Sequence, residues 1–135
     1  MSRHNKHNLE DATIIAPGKN PSCGDEIELA LKVEDSRIVD GAYTGIGCAI
    51  SQASVSIMID LVRGKTVSEA LALSQLFMKM IRSEPMTSEE KKKLDETLAL
   101  ANVANMPARV KCATMPWHTL EEALKTLEKT TGDKS

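Results

Sequence analysis

Hydrophobic and polar residues alternate along the first third of the chain with the period of two that β-strands show. In EIELALKV (26–33) the apolar residues occupy every second position, and most of the positions between them are charged. This pattern predicts a strand with one buried and one solvated face. A short turn, EDS, leads into RIVDGAYTG (37–45), which predicts the second strand of a hairpin. ATIIAP (12–17), which ends at a Pro-Gly pair, predicts a further short strand.

Beyond the hairpin the apolar period changes to that of amphipathic helices. We predict four helices, over 49–64, 66–82, 87–104 and 115–129. Thr66 and Glu69 have the spacing of a capping box, and the third helix begins with the same signature. Pro116 suits the first turn of the last helix. Strands followed by helices, without βαβ alternation, predict an α+β fold: a three-stranded antiparallel sheet packed on one face by about four helices.

Length and composition indicate a single soluble domain. The 135 residues suffice for one hydrophobic core, and the polar residues 1–8 predict a flexible tail ahead of a domain over 9–135. A net charge of −2 and an aromatic content of 2% argue against a nucleic-acid partner, since such partners need basic surfaces and stacking rings. No apolar run reaches the roughly 20 residues of a membrane span, and the amino terminus lacks a signal-peptide core. We therefore expect a cytoplasmic protein without a membrane partner.

Three cysteines stand at the junctions between predicted elements. Cys23 lies in a Pro/Gly turn before a strand, Cys48 at the start of a predicted helix, and Cys112 just ahead of another. So small and odd a number does not make a disulfide framework. A helix amino terminus lowers the pKa of a thiol and so favours the thiolate, the form that binds metal or attacks sulfur.

Asp25 adds a carboxylate to these thiols. It stands two residues after Cys23 in an extended segment, so both side chains point to the same side. Three thiolates and one carboxylate suit zinc, or iron in an iron–sulfur cluster. The spacing is not that of a zinc finger, so the residues alone leave two interpretations open: a shared metal site, or separate cysteines in the core.

Two basic residues flank the last cysteine. Four anionic ligands around a divalent cation leave about two negative charges in excess, which Arg109 and Lys111 are near enough in sequence to offset from outside the ligands. The alternative is a solvated pair on a loop. That alternative fits Lys111 better, whereas Arg109, two residues after Pro107, fits a role at the site.

Three segments carry a resemblance to a known family. NPSCGDEIELALKV (20–33), YTGIGCAISQASVSIM (43–58) and MPARVKCATMPW (106–117) resemble the ligand segments of the IscU/NifU-N superfamily. The resemblance is to its SufU branch in particular, because Lys111 stands where IscU-type scaffolds carry a histidine before the last cysteine. The segment over 83–105 also resembles the insertion that lengthens SufU proteins.

This resemblance implies a zinc-dependent sulfurtransferase of iron–sulfur cluster assembly with an IscU-like fold. The implied Zn²⁺ ligands are Cys23, Asp25, Cys48 and Cys112. Cys23 is then the acceptor of persulfide sulfur from a SufS-type cysteine desulfurase, and Arg109 steadies the persulfide or the interface. The implied recipient is a SufBCD-type scaffold. Two alternatives stay open: a scaffold on which a [2Fe–2S] cluster is assembled and transferred, and a structural-zinc interaction module without catalysis.

Overall fold

Three strands form one antiparallel sheet in the order β1-β2-β3, which confirms the predicted three-stranded antiparallel sheet. β1 spans Ile14–Asn20, β2 spans Asp25–Glu34 and β3 spans Arg37–Ile46. The structure is a computed structural model and describes residues 5–20, 24–94, 100, 101, 103 and 105–131, with side chains up to residue 127.

The strand register gathers three chain segments at one end of the sheet. Asn20, the last residue of β1, pairs with Asp25, the first residue of β2. Glu26 pairs with Ile46, the last residue of β3. Cys48 follows two residues later and caps the first helix. The start of the Cys48 helix therefore lies at the end of the sheet where β1 ends and β2 begins.

Four helices lie on one side of this sheet. They are α1 (Ala49–Val62), α2 (Val67–Ile81), α3 (Ser88–Leu94) and α4 (Pro107–Thr131). Of these, α1 and α4 pack directly on the sheet, α2 packs on both of these helices and α3 packs on α2. The covered face buries Ile27, Leu29 and Leu31, whereas Glu26 and Glu28 on the opposite face are exposed. The predicted α+β architecture is therefore confirmed. None of the helices in the described part of the chain combines the length and the apolar character needed to cross a membrane.

The third helix is shorter than predicted. α3 ends at Leu94, and residues 100, 101, 103 and 105 have 3₁₀ geometry, so the prediction of one α-helix over 87–104 was wrong. The physical reason lies in tertiary packing. The second half of the predicted helix is rich in Leu and Ala, which favour a helix, but Leu100 and Val103 are buried in the core, and such packing overrides local propensity.

The last helix begins earlier than predicted, at Pro107 instead of residue 115. Pro107 supplies the fixed φ that favours a first helical position, the role that the sequence suggested for Pro116. Pro116 lies inside α4, where it has no N–H to donate to the carbonyl of Cys112 four residues earlier. Cys112 is thus in the second turn of α4, and the expectation that it precedes a helix was wrong.

Part of the predicted flexible tail is held against the domain. Asn5 is fully buried, and its backbone carbonyl accepts a 2.9 Å hydrogen bond from the N–H of Tyr43 in β3. Its side-chain amide donates to the carbonyl of Ser56 in α1 at 2.9 Å, and Arg63 donates to its Oδ1 at 2.6 Å. Residues 1–4 lie outside the described residues, and the flexible tail over 1–8 stays a prediction.

Gly45 lets β3 pass close to β2 near the end of the sheet that carries Asp25 and precedes Cys48. Its φ is +115°, which side chains rarely adopt, and a Cβ there would collide with the backbone carbonyl of Glu26. We expect Gly45→Ala to lower the free energy of unfolding by about 2–4 kcal/mol, measured by urea denaturation of chelator-treated protein.

Gly64→Ala is the matched control for this prediction. Gly64 also has a positive φ, +86°, but an added Cβ meets nothing within 4 Å. We expect Gly64→Ala to lower the free energy of unfolding by only about 1 kcal/mol, the cost of the backbone conformation alone. Equal losses in the two variants would show that the collision with Glu26 has no effect.

Candidate metal centre

Asp25 offers one buried carboxylate oxygen that has no partner. The residue is 2% exposed, and its Oδ1 accepts a hydrogen bond of 2.8 Å from the backbone N–H of Cys48. Its Oδ2 has no hydrogen-bond partner among the described residues. Because a buried polar atom without a partner costs free energy, this oxygen is suited to bind a cation.

Cys48 is held at the amino terminus of α1, as predicted. Its Sγ accepts a 3.4 Å hydrogen bond from the backbone N–H of Ser51, and this contact caps the helix. Burial acts to raise the pKa of Cys48, but hydrogen bonds from Ser51, Cys112 and Ile50 together hold this pKa below its ordinary value. Gly47 permits this packing, since a Cβ there would collide with the hydroxyl of Ser51.

Cys112 is fully buried in α4 and is held there by contacts with two other elements. The side-chain amide of Asn20, at the end of β1, donates to Cys112 Sγ at 3.7 Å. One residue along, the carbonyl of Ala113 accepts a 2.6 Å hydrogen bond from the hydroxyl of Ser54 in α1. The helices that carry Cys48 and Cys112 are therefore tied directly to each other.

The three side chains converge on one point. Asp25, Cys48 and Cys112 each offer one ligand atom, and these atoms all lie within 4.8 Å of one another. Around a tetrahedral zinc ion with sulfur about 2.3 Å away, neighbouring ligand atoms are separated by about 3.8 Å. The observed spacing is close to what one ion requires. Two sulfurs and one oxygen also match the ligand preference of zinc and iron.

The fourth predicted ligand, Cys23, lies outside the described residues. The structure resumes at Gly24, and Asp25 is already at the site. Cys23 is thus only two residues from a side chain of the cluster. Its roles as a ligand and as a sulfur acceptor stay predictions.

Arg109 and Lys111 are both exposed on the first turns of α4. Among the described residues, neither forms a hydrogen bond or an ion pair with Asp25, Cys48 or Cys112. Lys111 lines a cavity of about 300 Å³ between β1 and α4. Their functional roles stay predictions.

Three residues that hold the ligands in place are not among the candidates that the sequence suggests: Asn20, Ser51 and Ser54. Ser51 stands three residues after Cys48, the offset at which a helix cap is bonded, so the capping rule was a usable signal. Ser54 and Asn20 contact residues that are 59 and 92 positions away in sequence. No local pattern reports contacts of that range.

The fold and the site together define a small α+β domain in which cysteine and aspartate side chains converge at one end of a three-stranded sheet. Residues 3–113 match the family described as the NifU-like N terminal domain. The chain belongs to this family.

Relatives with established names are similar over most of the chain. The iron-sulfur cluster assembly scaffold protein IscU of Thermotoga maritima is 46% identical over 121 residues, which cover 90% of this chain and 83% of that protein. The zinc-dependent sulfurtransferase SufU of Bacillus subtilis is 37% identical over 120 residues, or 89% of this chain and 80% of that protein.

A crystal structure from Fervidobacterium islandicum, described as an iron-sulfur cluster assembly scaffold protein for the SUF system, has the same fold. It superposes with a TM-score of 0.84 at 37% identity and covers 91% of this chain and 88% of that one. The resemblance to IscU and SufU proteins is therefore confirmed, and the family is one of iron–sulfur cluster assembly.

The lowered pKa of Cys48 predicts an unusual pH dependence of its reactivity. In chelator-treated protein, we expect iodoacetamide to alkylate Cys48 with a midpoint at lower pH than in urea-unfolded protein, because the folded site favours the thiolate. Peptide mapping by mass spectrometry measures the rate at this residue. Ser51→Ala removes the side-chain hydrogen bond from Ser51 and keeps the one from its backbone N–H, so it should raise the midpoint.

Ser56→Ala serves as the control for that experiment, because Ser56 is also buried in α1 and contacts Asn5 instead of the thiols. Its midpoint should equal that of the unaltered protein. A Ser51→Ala variant with the same midpoint as Ser56→Ala would contradict the prediction.

Proposed function

We propose that the protein is a zinc-dependent sulfurtransferase that supplies sulfur for iron–sulfur cluster assembly. The convergence of Asp25, Cys48 and Cys112 within 4.8 Å of one another is the observation that carries this proposal. The similarity to SufU of Bacillus subtilis, named a zinc-dependent sulfurtransferase, supports it.

The proposed zinc ligands are the three converging side chains together with Cys23. Asp25 contributes Oδ2, because its Oδ1 is already bonded to the N–H of Cys48. When bound, zinc keeps the thiols deprotonated and shields them from oxidation.

Cys23 is the ligand best suited to accept sulfur. Cys48 caps α1 and Cys112 is buried in α4, so movement of either side chain disturbs a helix. Cys23 stands in the sequence NPSCGD, whose proline and glycine favour a turn. A thiolate on a turn has more freedom to reach a partner than one fixed in a helix.

The transfer itself is a thiol exchange. The Cys23 thiolate attacks the outer sulfur of a persulfide on the catalytic cysteine of a desulfurase. A new sulfur–sulfur bond forms on Cys23, the desulfurase's own sulfur–sulfur bond breaks, and its cysteine leaves as a thiolate. Because one persulfide replaces another, the step needs neither an oxidant nor a reductant.

The partners of this reaction follow from the same proposal. A SufS-type cysteine desulfurase supplies the sulfur, and a SufBCD-type scaffold receives it. Arg109 and Lys111 place exposed positive charge within three residues of Cys112 on α4. Such charge attracts an anionic persulfide and steadies it during transfer.

The second candidate function is a scaffold that carries a [2Fe–2S] cluster as its cargo. The 46% identity to IscU of Thermotoga maritima favours it, and thiolates bind iron as well as zinc. The ligand spacing favours zinc. In a [2Fe–2S] cluster each iron binds two of the four protein ligands. Any three of these ligands therefore include a pair bound to different irons, and the ligand atoms of such a pair lie farther apart than two ligand atoms of a single ion. The three described ligand atoms are all close together.

Substitution of Cys23 tests the proposed acceptor. We expect Cys23→Ala to accept no sulfur from a ³⁵S-persulfidated cysteine desulfurase, because it lacks the attacking thiolate, while circular dichroism shows a retained fold. The measurement is the radiolabel on this chain after non-reducing electrophoresis.

Ser22→Ala is the matched control, since it changes the adjacent residue of the same segment and keeps the thiol. It should accept sulfur at the rate of the unaltered protein. Uptake by Cys23→Ala at that same rate would overturn the assignment of the acceptor.

Metal content separates the two candidate functions. We expect the purified protein to be colourless and to hold about one zinc ion per chain, as a four-ligand site requires. Elemental analysis and the visible spectrum measure this. A protein that absorbs visible light after iron and sulfide reconstitution, and passes its cluster to an apo-ferredoxin, would instead establish the scaffold function.

A further inference from the structure

Each of the three described ligand residues accepts a hydrogen bond from a neutral N–H group. The backbone N–H of Cys48 donates to Asp25 Oδ1 at 2.8 Å, and the backbone N–H of Ser51 donates to Cys48 Sγ at 3.4 Å. The third donor is the side-chain amide of Asn20, 3.7 Å from Cys112 Sγ. Of these three N–H donors, Asn20 is the one that belongs to a side chain, so a substitution can remove it without changing the backbone.

The sheet and α4 hold Asn20 at this position. Its backbone pairs with that of Asp25 in the β1–β2 ladder, and the residue is only 5% exposed. Two residues earlier, Gly18 allows β1 to lie directly on α4, because a Cβ there would collide with Thr119 and Met115. This close approach brings the end of β1 against the helix turn that carries Cys112. The β1–β2 ladder and the packing of β1 on α4 thus fix the position of Asn20.

The charge of the site gives this amide a function. Three thiolates and a carboxylate carry four negative charges, and a divalent cation offsets two of them. The exposed side chains of Arg109 and Lys111 form no hydrogen bond or ion pair with Asp25, Cys48 or Cys112 within the described part of the chain. Neutral N–H groups donate to all three ligands, and a charge-assisted hydrogen bond is roughly twice as strong as a neutral one.

We propose that Asn20 is a positioning residue of the metal centre, which donates its side-chain N–H to the thiolate of Cys112, orients that sulfur and reduces its electron donation to the bound ion. The inference rests on the ligand set of the proposed function. Residues that hydrogen-bond metal ligands in this way typically change metal affinity by about 10–100-fold when they are removed.

Cobalt substitution tests this proposal. Co²⁺ alone is added to chelator-treated protein, and the sulfur-to-cobalt charge-transfer band and the affinity for Co²⁺ are measured. For Asn20→Ala we expect the band to move to lower energy and the affinity to fall by about 10-fold or more, because the sulfur loses its hydrogen bond and one fixed orientation. Asn20→Asp keeps the side-chain shape and replaces the donor by an acceptor, so it should show the same shift with a larger loss of affinity.

Asn5→Ala is the matched control. Asn5 is also a buried asparagine, but its amide contacts the carbonyl of Ser56 and a carboxylate oxygen of Asp60. It should lower the stability of the fold and leave the cobalt band where it is. This comparison separates a role at the metal from the general cost of removing a buried amide.

The possible outcomes test the ligand set and the role of Asn20 separately. An unaltered protein that binds Co²⁺ with no charge-transfer band would overturn the ligand set, and this inference with it. A band in the unaltered protein that has the same energy and affinity in Asn20→Ala or Asn20→Asp would overturn the role of Asn20 alone. Should Asn20→Ala fail to fold, the nearly isosteric Asn20→Asp variant decides by itself.

Discussion

Two thiols and a carboxylate within 4.8 Å of one another repel each other once they ionise, and burial makes that repulsion stronger. The protein stabilises this cluster by providing one N–H donor to each of the three groups. Two of the donors are backbone amides at the start of α1, where the helix leaves its first N–H groups unpaired. The position of the cluster at a helix amino terminus and at a sheet end thus has an electrostatic reason.

The same contacts connect the elements of the fold to one another. Asp25 is in β2, Cys48 at the start of α1 and Cys112 in α4, and each is bonded to a different element from its own. The Ser54–Ala113 hydrogen bond then ties α1 to α4 beside Cys112. A rigid arrangement of three ligands results. This rigidity suits the proposed sulfur relay, in which Cys23 exchanges while the other three ligands hold the ion.

The sequence predicts local structure better than it predicts the surroundings of the site. Period-two alternation in β2 and β3 and the capping box at Thr66 are confirmed, because each depends on residues near one another in the chain. The predicted start of α4 was wrong, because Pro107 and Pro116 both fit a first helical turn and only packing distinguishes them. The prediction that Cys48 and Cys112 converge depended on the family resemblance. The role of Asn20 depends on a contact across 92 residues, which no pattern of single residues reveals.

The difference between neutral and cationic stabilisation bears on reactivity. A lysine or arginine side chain buried against the thiolates would offset their charge and weaken their attack on sulfur, whereas N–H donors orient the sulfurs and leave the net charge of the centre in place. Arg109 and Lys111 are exposed instead. Under the proposed sulfur transfer, an incoming anionic persulfide meets this exposed positive charge first. The groups proposed to stabilise the ligands then differ from those proposed to attract the substrate, which is what a ligand thiolate needs in order to remain a nucleophile at a stable metal site.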